Sequence, residues 1–174
     1  MWWSRLTVLA VLALPLAAGG CTIEPLNAAA PAGVSSQSVS TAAALQGTTV
    51  DPVATRVAQQ VRNELLFAMH GGRPADDGPY ALALTVSTST RVLATPINGE
   101  VAQAAQVRME GTYLLRERAT GTVVLQGRRA SVSAYDRTDQ LFANKRAERD
   151  AQNRAAKDLA RRLHLDLAQR IAGI

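Results

Sequence analysis

The sequence holds one cysteine in 174 residues, so an internal disulfide is excluded and the single thiol needs another use. Aromatic residues are scarce, with two Trp, three Tyr and two Phe. No basic strand laced with them offers a platform for nucleic acid. Long hydrophobic runs are missing as well. Leu6 to Leu16 is the clearest apolar stretch, and it falls short of the roughly 20 residues that a permanent membrane-spanning helix needs. The glycines form no phosphate-binding loop and the serines no nucleophile elbow. His70 and His164 have no acid or cysteine at metal-ligand spacing, and Asp76-Asp77, beside Gly78 and Pro79, reads as a solvated turn. The residues therefore give no support to catalysis, to a metal or to a cofactor.

What is present begins with an address. Arg5 precedes the apolar run, and Ala17, Ala18, Gly19 and Gly20 follow it as the small residues of a cleavage site, so residues 1–20 read as a signal peptide. Cys21 comes directly after. Ala18-Gly19-Gly20-Cys21 resembles the bacterial lipobox, with Ala18 where Leu is usual. That likeness implies an acylated Cys21 at the mature N-terminus, and Thr22 in place of Asp implies sorting to the outer membrane. Each buried methylene of an acyl chain contributes about 0.8 kcal/mol, so several chains anchor a domain without any spanning helix.

With Arg5 set aside, 18 Lys and Arg face 14 Asp and Glu. This modest positive balance suits anionic lipid or phosphate partners. Between Glu24 and Asp51 no residue is charged. Residues 21–50 read as a lipidated N-terminus, a flexible Ala/Pro tether and an edge strand within Val34 to Leu45.

The folded domain is expected over 51–174. Asp51-Pro52 suits a helix start, and Val53, Val57, Val61, Leu65 and Met69 form a four-residue stripe that Gly71-Gly72 ends. Tyr80, Leu82, Leu84 and Val86 then alternate with small and polar residues in the period of a half-buried strand. Val107, Met109, Gly111, Tyr113 and Leu115 do the same, Ala119-Thr120-Gly121 gives a turn, and Val123 to Ala134 returns as the partner strand. A second stripe, Ala147, Ala151, Ala155, Leu159, Leu163, Leu167 and Ile171, predicts a long helix whose Ala seam allows close approach. Two amphipathic helices and a small sheet of about four strands bury one another's apolar faces as a two-layer α/β (α+β) sandwich.

The hairpin carries Arg108, Arg116, Arg118, Arg128 and Arg129. Guanidinium groups gathered there suit phosphate or carboxylate recognition, against the plainer reading of a solvated sheet face. Thr85, Ser87, Thr88, Ser89 and Thr90 read as a polar strand face that fits the wet lumen of a barrel protein.

Three stretches resemble one family. Cys21-Thr22-Ile23-Glu24-Pro25-Leu26, Arg56 to Leu65 and above all Ser133 to Ala156 are similar to the lipopolysaccharide-assembly lipoproteins called LptE, in their alphaproteobacterial form. Asn27 stands where that family commonly has Tyr. The resemblance implies two helices on a small mixed sheet and no enzymatic activity. It implies a role as plug and assembly partner of the outer-membrane barrel LptD, in contact with lipopolysaccharide. Arg108, Arg116, Arg128 and Arg129 are then the candidate contacts for lipid phosphates. The competing reading is an auxiliary binding lipoprotein of a lipid-trafficking ABC system. Cys21→Ser is expected to abolish palmitate incorporation in labelled cells; labelling that persists would remove the lipid anchor from this account.

Overall fold

The computed structural model describes residues 36–74, 78–93 and 104–173. The expected leader, Cys21 and tether lie outside these residues, as do Asp76-Asp77 and the break near Pro96 and Gly99. Among the described residues the order is α1 (Ser36–Gln46), β1 (Thr49–Val50), α2 (Arg56–His70), β2 (Tyr80–Val92), β3 (Ala104–Glu117), β4 (Val123–Asp136) and α3 (Leu141–Ile171). The sheet runs β1-β2-β3-β4, with β1 parallel to β2 and the other pairs antiparallel. This is the mixed four-stranded sheet read from the sequence, with helices packed on one face.

Two boundaries differ from expectation. The stretch expected to contain an edge strand is helical over Ser36–Gln46. Ala42, Ala43 and Ala44 favour a helix, the Thr48 hydroxyl donates to the Ala44 carbonyl (2.7 Å) at its end, and Leu45 is buried in the core. The edge strand is instead the short β1. Helix α2 starts at Arg56 rather than at Asp51-Pro52, because Thr55 takes the cap: its extended backbone lets the side chain accept from the Ala58 N–H at 3.2 Å. Gly71 closes that helix as expected, with φ 61° and its N–H on the Phe67 carbonyl.

Both stripes point inward. Val61, Leu65 and Met69 of α2 are buried, and so are Ala151, Ala155, Leu159, Leu163, Leu167 and Ile171 of α3. They meet Leu82 and Leu84 of β2 and Met109, Tyr113 and Leu115 of β3 in one cluster. Phe142, Ala143 and Asn144 lie within the first turn of α3. Asn144 fixes that start, accepting from the Thr138 N–H (2.8 Å) and donating to the Thr138 carbonyl (2.7 Å).

Two glycines set how closely the layers approach. A β-carbon on Gly111 would stand 3.2 Å from Leu163 Cδ1 and 3.3 Å from Leu159 Cδ2, so α3 rests on bare backbone there. On Gly127 of β4 a β-carbon would stand 2.5 Å from Tyr113 Cε1 and 2.6 Å from its Cζ. The Tyr113 ring occupies the space a side chain would need, and the register pairs the two residues directly. Gly127→Ala is therefore expected to cost about 1–3 kcal/mol by forcing this fully buried ring aside. Urea unfolding of the full chain checks it, and a wild-type midpoint would contradict this packing.

Candidate functional site

Strand alternation sends the two sets of side chains to opposite faces. Odd-numbered residues of β3, from Ala105 to Leu115, face the helices and are buried. Even-numbered ones, with their register partners on β2 and β4, form the other face. Among the described residues no helix covers that face. Thr85, Ser87 and Ser89 of β2, Arg108 and Thr112 of β3, and Gln126, Arg128 and Val132 of β4 are exposed on it. It is hydroxyl-rich and basic, but the expected polar stretch is split: Thr88 and Thr90 pair with Met109 and Val107 on the helix side, where the Thr90 hydroxyl donates to Glu148 of α3 at 2.9 Å.

At its centre stands Glu110. Arg128 forms an ion pair with one of its oxygens, and Arg108 Nη2 lies 3.7 Å from the other. Two guanidinium groups thus share one carboxylate and leave a local charge of +1. Both arginine side chains are more than half exposed, at 55% and 67%, so the pairing itself contributes little to stability. Their donors remain available to an anion arriving from solvent, which Glu110 would share or give up. Arg116 lies on the same face but six residues along β3, roughly 20 Å away, beyond a register shift at Leu115/Arg116. The five arginines of the hairpin therefore do not form one cluster.

Arg129 belongs to the opposite face, since consecutive strand residues diverge. Its Nη2 pairs with Asp166 Oδ1 of α3. The Tyr113 hydroxyl donates to Asp166 Oδ2 at 2.6 Å, and Arg170 Nη1 reaches both the Tyr113 oxygen (3.4 Å) and the Gln126 carbonyl. Asp166 is only 4% exposed, so its charge depends on these donors. Burial pushes the Tyr113 phenol above its usual range, with the Asp166 hydrogen bond acting in the same direction. Tyr113 stays protonated and keeps donating. Arg129 is thus engaged in holding the fold.

Sequence reasoning missed Asp166. The one signal was an acid set between Leu165 and Leu167, beside the apolar stripe. His164, two residues before it, is buried with Nε2 unpartnered among the described residues, and burial lowers its pKa. Among the described residues no group of three or more His, Cys, Asp or Glu stands where a metal could be held, and no helix is long and apolar enough to cross a membrane. A groove of about 460 Å³ between α2, β1 and Gly72 to Pro74 includes Arg62, Phe67 and His70. Arg62 and His70 are engaged there with backbone carbonyls of 48–51.

Comparison with known proteins gives a consistent picture. The sequence matches the LptE family, Lipopolysaccharide-assembly, over residues 40–167. The crystal structure of a candidate lipoprotein from Caulobacter crescentus is similar at TM-score 0.62 and 29% identity, covering 78% of this chain and 98% of that one. A minor lipoprotein from Acinetobacter baumannii shares the fold at TM-score 0.52 and 14% identity, over 71% of this chain and 89% of that one. Rare lipoprotein B from Shewanella oneidensis does so at 0.53 and 12%, over 71% and 92%. No curated protein matches.

The two neighbouring arginines should separate on substitution. Arg129→Met is expected to cost about 1.5–3 kcal/mol, the loss of a hydrogen bond to a buried charge. Arg128→Met, on the open face, should stay within about 0.5 kcal/mol of wild type. Equal unfolding midpoints for the two variants in urea would contradict the division of the faces.

Proposed function

This chain belongs to the LptE lipopolysaccharide-assembly family, and on that premise we propose that it is an outer-membrane lipoprotein acting as plug and assembly partner of the barrel LptD. In this reading residues 1–20 are a removed signal peptide, acylated Cys21 anchors the chain at the periplasmic face, and the Asn27 to Gly33 stretch tethers the folded domain to the lipid. The observation that supports the plug reading is the uncovered sheet face. A barrel lumen is polar and wet, and a domain seated in one must present hydrophilic surface without burying unpaired charge. Thr85, Ser87, Ser89 and Thr112 supply hydroxyls that exchange hydrogen bonds with water or lumen side chains at little cost.

The same face supports the reading that the domain contacts lipopolysaccharide. Arg108 and Arg128 stand on either side of Glu110 with exposed guanidinium groups, a geometry suited to a lipid phosphate. Arg116 offers a second, separate cation further along β3. Arg129 is set aside from this role by its bond to Asp166. No reaction is proposed; the activity is binding and assembly.

Extraction of the lipidated protein in mild detergent is the test. A stable complex with an outer-membrane barrel is expected, together with lower surface lipopolysaccharide and less assembled barrel when the protein is depleted. Recovery of an inner-membrane ABC transporter instead, with surface lipopolysaccharide unchanged on depletion, would overturn the proposal.

A further inference from the structure

Side chains of the helices meet the outward backbone carbonyls of β1 and several of those of β4. The hydrogen-bond phase shows which backbone groups point outward. The Leu93 N–H donates to the Ala104 carbonyl at 3.0 Å, so even-numbered residues of β3 bond to β2 and odd-numbered ones to β4. Through the register, which pairs Val107 with Ser133 and Met109 with Ser131, the odd residues of β4 complete that ladder. The N–H and C=O groups of Gln126, Arg128, Ala130, Val132 and Ala134 therefore face away from the sheet. At the other edge the Asp51 N–H donates to the Leu82 carbonyl (2.9 Å), which turns the carbonyls of Thr48 and Val50 outward.

Most of these outward carbonyls are taken. On β1, Arg62 donates to Val50 through Nη2 (2.8 Å) and Nε (3.1 Å), and His70 Nε2 lies 3.0 Å from the Thr48 oxygen. On β4, Arg154 Nη2 donates to Ala134 (2.9 Å), Arg170 Nη1 to Gln126, and Arg129 Nη1 to Arg128 (2.9 Å). Arg62 and His70 of α2 and Arg154 and Arg170 of α3 lie on different turns of their helices and reach the edge beside each. An unpaired strand edge is a template for another chain. β1 is two residues long and covers only Ala81 and Leu82, so the rest of that edge belongs to β2 itself. The β4 edge is 14 residues long and contains neither Pro nor Lys, the usual blunting residues.

We infer that Arg154 and Arg170 are guards that keep the β4 edge from pairing with the β4 edge of a second copy of this chain. An antiparallel edge is its own complement about a twofold axis. Between the two guarded carbonyls, Ala130 and Val132 present N–H and C=O groups with no protein partner among the described residues, and Val132 is half exposed. That window is the natural centre of such a pairing. Each guanidinium laid over a carbonyl removes an acceptor from the approaching strand, and in a pairing centred on Ala130, Gln126 of one copy lies opposite Ala134 of the other, so Arg170 meets the like charge of the second copy's Arg154 and is repelled.

The test compares self-association of the full chain in detergent by light scattering and sedimentation. Arg154→Met with Arg170→Met keeps the apolar stems and removes both donors. Roughly tenfold or greater tightening of self-association over wild type is expected. Arg161→Met with Arg162→Met, an equal loss of charge on α3 directed at Asp158, should leave it unchanged. Adding Val132→Pro to the first pair should restore the wild-type state. It deletes an outward N–H that β3 does not use, so the internal ladder is spared. Arg170 also touches Tyr113; should the double variant fail to fold, Arg154→Met alone decides, with a smaller shift in the same direction. A folded guard variant that associates no more than wild type, or association that survives Val132→Pro, overturns the inference.

Discussion

The lock on which the molecule depends is Asp166. A carboxylate in an apolar layer is tolerable only if donors converge on it, and here they come from two strands: Tyr113 of β3 and Arg129 of β4. Tyr113 reaches it only because Gly127 leaves room for the ring to lie across β4. One helix residue thus fixes α3 along two strands at once. Nonspecific apolar packing of the Leu and Ala stripe does not supply such registration by itself. Further along, the Ser131 hydroxyl donates to the Ala155 carbonyl at 2.8 Å, so the same helix is pinned again about three turns nearer its start.

With α3 held in that register, the rest of the charge distribution follows. Arg154 and Arg170 project past the side of the helix onto the β4 edge, and Arg62 of α2 does the equivalent at β1. These cations serve the backbone, and Arg129 serves Asp166. Arg108, Arg116 and Arg128 are left on the face away from the helices. Basic groups therefore reach solvent on two sides, at the uncovered sheet face and along the exposed back of α3 with Arg149, Lys157 and Arg161.

Much of this was legible in the residues. Period-two alternation in 80–86 and 107–115, the four-residue stripes of both long helices, and the Gly71 and Gly121 terminators are local signals that tertiary packing had no cause to override. The misreadings have equally local causes. Ser36 to Gln46 is rich in Ser, Thr and Ala, with a hydrophobic pattern too weak to separate helix from strand. Asp51-Pro52 and Thr55 are both competent helix starts, and the pairing of Asp51 with β2 decides between them. Arg128 and Arg129 look equivalent as neighbours, yet strand geometry sends one to solvent and the other to a buried carboxylate. The Ser133 to Ala156 stretch carried the family likeness because it joins β4 to α3. Nothing in its composition announces Asp166, a lone acid that takes on meaning only when the helix lies down on Tyr113.

If the helices are committed to one side of the sheet, a partner must be met from the other. Site-specific photo-crosslinkers at Thr85, Thr112 and Arg128, compared with Arg149, Lys157 and Arg161 on the exposed back of α3, measure this directly in intact cells. The account predicts adducts to the outer-membrane barrel from the three sheet positions and few from the helix. Adducts concentrated on the α3 positions, with the sheet positions silent, would contradict it.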